Sequence, residues 1–99
     1  MQKLVRDKII NIIKNSGKTP IYHVASEEDM DELLKDKLKE EVEEFLESGE
    51  VEELVDILEV IRTISFNKGV NPDDLETIRK EKVNKRGGFE RKIVLHLND

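Results

Sequence analysis

Two long runs of helical periodicity meet at Ser48-Gly49, and that junction limits what this chain can fold into. In the first run, 27–47, an advance of about 100° per residue puts Met30, Leu33, Leu34, Leu38, Val42, Phe45 and Leu46 on one broad arc. The second run, 50–68, carries Val51, Leu54, Val55, Ile57, Leu58, Val60, Ile61, Ile64 and Phe66 around more than half of its circumference. A two-residue connection folds such a pair back on itself. The spacing therefore predicts a tight antiparallel hairpin, with its second helix the most buried element.

The flanking segments follow the same logic. Leu4, Val5, Ile9, Ile12 and Ile13 predict a helix from Leu4 to about Lys14, ended by Asn15-Ser16-Gly17. Ser26-Glu27-Glu28-Asp29 has the layout of a capping box, with acids in the first turn where the helix dipole favours them. Asn71-Pro72-Asp73-Asp74 opens a further helix reaching about Lys85, before Gly87-Gly88 breaks it. Ile21–Ala25 and Arg91–Leu97 are β-prone and are predicted to be short strands that pair with each other or with a second copy. The expected fold is all-α: an antiparallel bundle of about four helices with short terminal β segments, in one domain spanning 1–99 and completed by oligomerisation.

Composition excludes several functions. A net charge of −6 and few aromatics disfavour a nucleic-acid polymer as partner, which would call for a basic face or a stacking surface. With no cysteine, disulfides and thiolate metal sites are ruled out. Neither an apolar run of about 18 residues nor a signal-peptide pattern is visible, so the expectation is a cytoplasmic protein without a membrane partner.

The chemistry lies in the phase of the acids. Glu41 and Glu44 fall inside the apolar arc of the first hairpin helix, Glu40 lies at its border, and Glu43 points away. On the second helix Glu53 projects between Val60 and Ile64, and Asp56 flanks it. Buried carboxylates cost several kcal/mol unless they are paired or bound to a cation. Inward acids on both arms of a hairpin suit a hard divalent cation with oxygen ligands. Neutralisation by Lys or Arg neighbours is the competing reading in a chain with 23 acids.

Glu40-Glu41-Val42-Glu43-Glu44 followed by Glu53-Leu54-Val55-Asp56 resembles the Glu-Glu-x-x-Glu and Glu-x-x-Asp motifs of the MazG-like all-α NTP pyrophosphohydrolases. Lys3-Leu4-Val5-Arg6-Asp7-Lys8-Ile9 and Lys85-Arg86-Gly87-Gly88-Phe89 look like the ends of a small-protein subgroup close to phosphoribosyl-ATP pyrophosphohydrolase. The spacer from Glu44 to Glu53 is shorter than in many such proteins, leaving less room for a base-recognising loop.

This resemblance implies that Glu41, Glu44, Glu53 and Asp56 hold Mg²⁺, with Mn²⁺ as a substitute, and that Glu40 orients or deprotonates the attacking water. It also implies that Lys82 and Arg86, with Lys85 less directly, contact substrate phosphate. The expected reaction is hydrolysis of a nucleoside triphosphate between the α and β phosphates, by a homodimer or homotetramer. Two alternatives are a non-catalytic helical dimerisation module and a biosynthetic enzyme of the phosphoribosyl-ATP type. Arg6 and Lys8 read first as surface residues, although they belong to the matching opening segment.

Overall fold

The structure is a computed structural model and describes residues 2–98. It contains helices α1 (Ile9–Asn15), α2 (Glu27–Ser48), α3 (Val51–Asn67) and α4 (Pro72–Arg86). The local chemistry behind each boundary is visible. At the start of α2 the Ser26 hydroxyl accepts a hydrogen bond from the Asp29 N–H at 3.3 Å, and three acids fill the first turn. The α2–α3 turn depends on Gly49, whose φ of +68° is a conformation that side chains with a Cβ rarely adopt. In this geometry the Gly49 N–H donates to the Phe45 carbonyl at 2.7 Å and α3 begins two residues later. Asn71 caps α4 by accepting from the Asp73 N–H at 2.8 Å, with Pro72 in the first turn.

The hairpin forms as expected. Helix α2 packs along α3, and α4 packs on α3. A second tie closes the end of α3, where the buried Ser65 hydroxyl donates to the Val70 carbonyl at 2.7 Å.

Two expectations are corrected. The first helix starts at Ile9 rather than Leu4; residues 2–6 have no regular structure and run beside the hairpin, where Leu4 and Val5 line a cavity. Leu4 is half-buried and Val5 lines the cavity while staying partly exposed, so the segment lies against α2 and α3 instead of extending the helix. The β-prone stretches also form no strand among the described residues. Ile21 and Val24 stand almost fully in solvent, as do most apolar residues between Ile93 and Leu97. A lone strand has no stable form, and among the described residues neither stretch pairs with another.

The core is small. Leu34 and Val60 are the buried apolar residues among those described, at 2 % and 8 % exposure. Helix α3 is central, packing against both α2 and α4, yet Leu54, Val55, Leu58 and Ile61 stay exposed. The radius of gyration of 17.6 Å exceeds the roughly 13 Å typical of a closed domain of this length. The molecule is thus an open helical assembly with one apolar face of α3 uncovered.

Candidate metal centre

The acids singled out by helical phase form two overlapping groups on the hairpin. Glu40, Glu41 and Glu44 of α2 bring carboxylate oxygens within 4.8 Å of one another, and so do Glu41 of α2 and Glu53 and Asp56 of α3. Glu41 belongs to both groups. It is also the most enclosed, at 6 % exposure, while Glu40, Glu53 and Asp56 are half-buried and Glu44 is exposed. Phase placed Glu44 inside the apolar arc; in the structure it reaches solvent while remaining beside Glu41.

Basic residues stand among these acids. Lys37, one turn before Glu41 on α2, places Nζ 3.2 Å from Glu41 Oε1 and 3.4 Å from Glu40 Oε2. Lys3 Nζ donates to Glu40 Oε1 at 3.1 Å, and Arg6 Nη2 donates to Asp56 Oδ1 at 2.7 Å. Burial pulls the Lys37 ammonium down, but hydrogen bonding and attraction from Glu41 and Glu40 outweigh it and hold the group above its ordinary value. The hydrogen bond from Lys3 leads in holding Glu40 below its ordinary value; burial opposes it and Lys37 adds to it.

These partners leave the cluster incompletely satisfied. Five carboxylates face three cations, so two negative charges remain unmatched. One atom shows the deficit directly: Glu41 Oε2 is buried and has no hydrogen-bond partner. Buried carboxylate oxygens are normally satisfied, because an unpaired one carries its full desolvation cost. A divalent cation held by Glu41, Glu53 and Asp56, with Glu44 beside Glu41 in the neighbouring group, would match both the orphan oxygen and the missing charge. The all-oxygen donor set is the kind that Mg²⁺ or Mn²⁺ takes.

Beside the cluster lies a cavity of about 320 Å³ between the N-terminal segment and the hairpin. Arg6 and Lys37 with the acids Asp7, Glu41, Asp56 and Glu59 form its charged wall; Leu4, Leu34 and Val60 contribute apolar wall. Its size is at the low end for a small-molecule site.

The basic residues expected to face phosphate are placed differently. Lys82, Lys85 and Arg86 are exposed on α4, and among the described residues no ion pair or hydrogen bond joins them to the acids. The structure instead adds Lys3 and Lys37 to the site and moves Arg6 from the surface into it. Lys37 carried a readable signal, since it stands three and four residues before two selected acids. Lys3 carried none, because its contact spans 37 positions and depends on the unwound start of the chain.

The Lys3–Glu40 pair gives a pH prediction. Lowering the Glu40 pKa in the folded state adds stability that is present above its ordinary value of 4.5 and lost as pH falls through the lowered one. In metal-free buffer, Lys3→Gln is expected to melt earlier than wild type at neutral pH. The gap should narrow as pH falls below 4.5 and close as it passes the lowered value, as read by circular-dichroism melts across pH.

Comparison with protein-family models, with curated proteins and with solved structures returned no match.

Proposed function

We propose that the chain is a Mg²⁺-dependent nucleoside triphosphate pyrophosphohydrolase, cytoplasmic and acting in nucleotide house-cleaning. The observation that carries this reading is Glu41 Oε2, buried and unpartnered where carboxylates from both hairpin helices meet. The MazG-like resemblance of Glu40–Glu44 and Glu53–Asp56 supports the choice of reaction.

In this reading Glu41, Glu44, Glu53 and Asp56 hold the cation. When bound, a divalent cation supplies charge neutralisation on the phosphates and a lowered pKa for water. Glu40, at the edge of the cluster, orients the attacking water and accepts its proton. The water oxygen bonds to phosphorus as the α–β bridging P–O bond breaks, giving the nucleoside monophosphate and pyrophosphate. Leu4, Leu34 and Val60 exclude solvent from one side of the cavity. Lys82, Arg86 and Lys85 are the phosphate contacts that the resemblance assigns, on an element that packs against α3.

Incubation with a panel of canonical and modified nucleoside triphosphates, with phosphoribosyl-ATP included, tests the proposal. Mg²⁺-dependent pyrophosphate release is expected from at least one of them, and turnover of phosphoribosyl-ATP alone would mark the biosynthetic alternative. No release from any substrate by folded protein would contradict the reading.

The ion pairs made by Lys3, Arg6 and Lys37 favour a second reading, a helical dimerisation module whose acids are neutralised internally. It predicts that Mg²⁺ leaves the melting temperature unchanged. Both readings call for a homodimer or homotetramer, because Leu54, Leu58 and Ile61 form one exposed stripe at helical spacing on α3. Leu54→Lys with Leu58→Lys is expected to give a monomer by light scattering where wild type is larger. A monomeric wild type would remove this part of the account. No helix of the described chain is long and apolar enough to cross a membrane.

A further inference from the structure

Two of the three cations at the acidic cluster come from one short segment. Lys3 and Arg6 flank Leu4 and Val5, and they reach opposite arms of the hairpin: Glu40 on α2 and Asp56 on α3. The segment spans the cluster like a strap, with Leu4 and Val5 against the cavity. Lys37 is of another kind, largely buried on α2 and bound to two carboxylates.

The strap cations are held loosely. The Lys3 and Arg6 side chains are 60 % and 54 % exposed, and exposed ion pairs of this sort contribute at most about 1 kcal/mol. Arg6 and Asp56 both line the cavity. A chain with a net charge of −6 must present local positive charge to any phosphate entering there. On α4, Lys82, Lys85 and Arg86 make no polar link to this cluster among the described residues.

We infer that residues 3–6 form a cation-exchange strap. Lys3 and Arg6 neutralise Glu40 and Asp56 when the cluster holds no divalent ion, and they bind the phosphates of an anionic ligand when it does. The inference rests on the metal reading given above. A dication among these acids repels both side chains and takes the Asp56 carboxylate that Arg6 held, while Glu40 exchanges Lys3 for water. The released guanidinium fork of Arg6 matches two phosphate oxygens, and Lys3 adds a point charge. The segment is not helical, and it is anchored at its end by the Arg6 carbonyl accepting from the Ile9 N–H at 3.1 Å, which leaves the side chains free to shift.

The test is calorimetric titration of wild type and a Lys3→Gln, Arg6→Gln variant, first with Mg²⁺ alone and then with pyrophosphate at saturating Mg²⁺. Circular dichroism confirms that the variant keeps its helices. The variant is expected to bind Mg²⁺ about three- to tenfold tighter, having lost two competing charges. It is expected to bind pyrophosphate about tenfold or more weaker. Arg6→Lys restores part of the pyrophosphate affinity. Opposite signs are the signature of exchange. A strap that only supported the fold would weaken both affinities, and an inert surface segment would change neither; either result overturns the inference while leaving Mg²⁺ binding by wild type intact. If wild type itself takes up no Mg²⁺, the metal reading fails and the strap with it.

Discussion

Glu41→Gln is expected to lower Mg²⁺-dependent pyrophosphate release by at least about a hundredfold while leaving the fold intact. Loss of a residue that merely orients a metal ligand already costs roughly 10- to 100-fold, and Glu41 is placed to be a ligand itself. Removing its charge leaves neither acid group complete, because both contain it. Stability should respond in the opposite sense or hardly at all. The substitution keeps the side-chain shape and an oxygen for Lys37, which retains Glu40 as its charged partner at 3.4 Å. It also removes a buried charge with one oxygen unsatisfied, itself a source of instability. Metal-free stability should stay within about 1 kcal/mol of wild type, or roughly 4–8 °C in melting temperature for a domain this small. A pyrophosphate-release assay and a thermal melt on the same preparation check both halves. An unfolded variant would show Glu41 to be structural, and a folded, fully active one would remove it from the site.

Leu34→Ala is expected to be the most damaging substitution for stability. Leu34 is 2 % exposed, and Val60 is the other buried apolar side chain among the described residues. Truncating a buried leucine costs about 2–5 kcal/mol through lost transfer energy and the cavity left behind. Small domains hold only about 5–15 kcal/mol in total, and a core this sparse belongs at the lower end. The melting temperature should fall by more than about 10 °C. Because Leu34 also walls the cavity beside Glu41, the variant should weaken ligand binding at temperatures where it remains folded. Denaturant unfolding gives the direct value. A loss below about 1 kcal/mol would mean that the main apolar contacts lie between copies of the chain, across the exposed face of α3.

The sequence made the hairpin legible because its signals are local. Ser26, Gly49, Asn71 and Pro72 each act within a few residues, and the helices they bound begin or end within a residue or two of expectation. Glu41 was also readable, since an acid in the middle of an apolar arc has few places to go. What depends on distant partners was not. Leu4 and Val5 have helical spacing with Ile9, yet they line a cavity made by α2 and α3, so the helix starts after them. The β-prone Ile21–Ala25 and Arg91–Leu97 carry the right residues but find no neighbouring edge among the described residues. Hydrophobic arcs show which faces seek burial without naming the cover. Leu54 and Leu58 therefore look like core residues in the sequence and are exposed in the single chain. Lys3 and Arg6 belong to the same class, their roles fixed by contacts 37 and 50 positions away.

The central claim is that Glu41 Oε2 faces a divalent cation. Titration of Mn²⁺ into metal-free wild type and Glu41→Gln, followed by electron paramagnetic resonance of free ion, tests it most directly. The account predicts saturable uptake by wild type, competed by Mg²⁺ and weakened at least about a hundredfold by the substitution. Uptake that fails to saturate in wild type, or that is equally tight in Glu41→Gln, would contradict it.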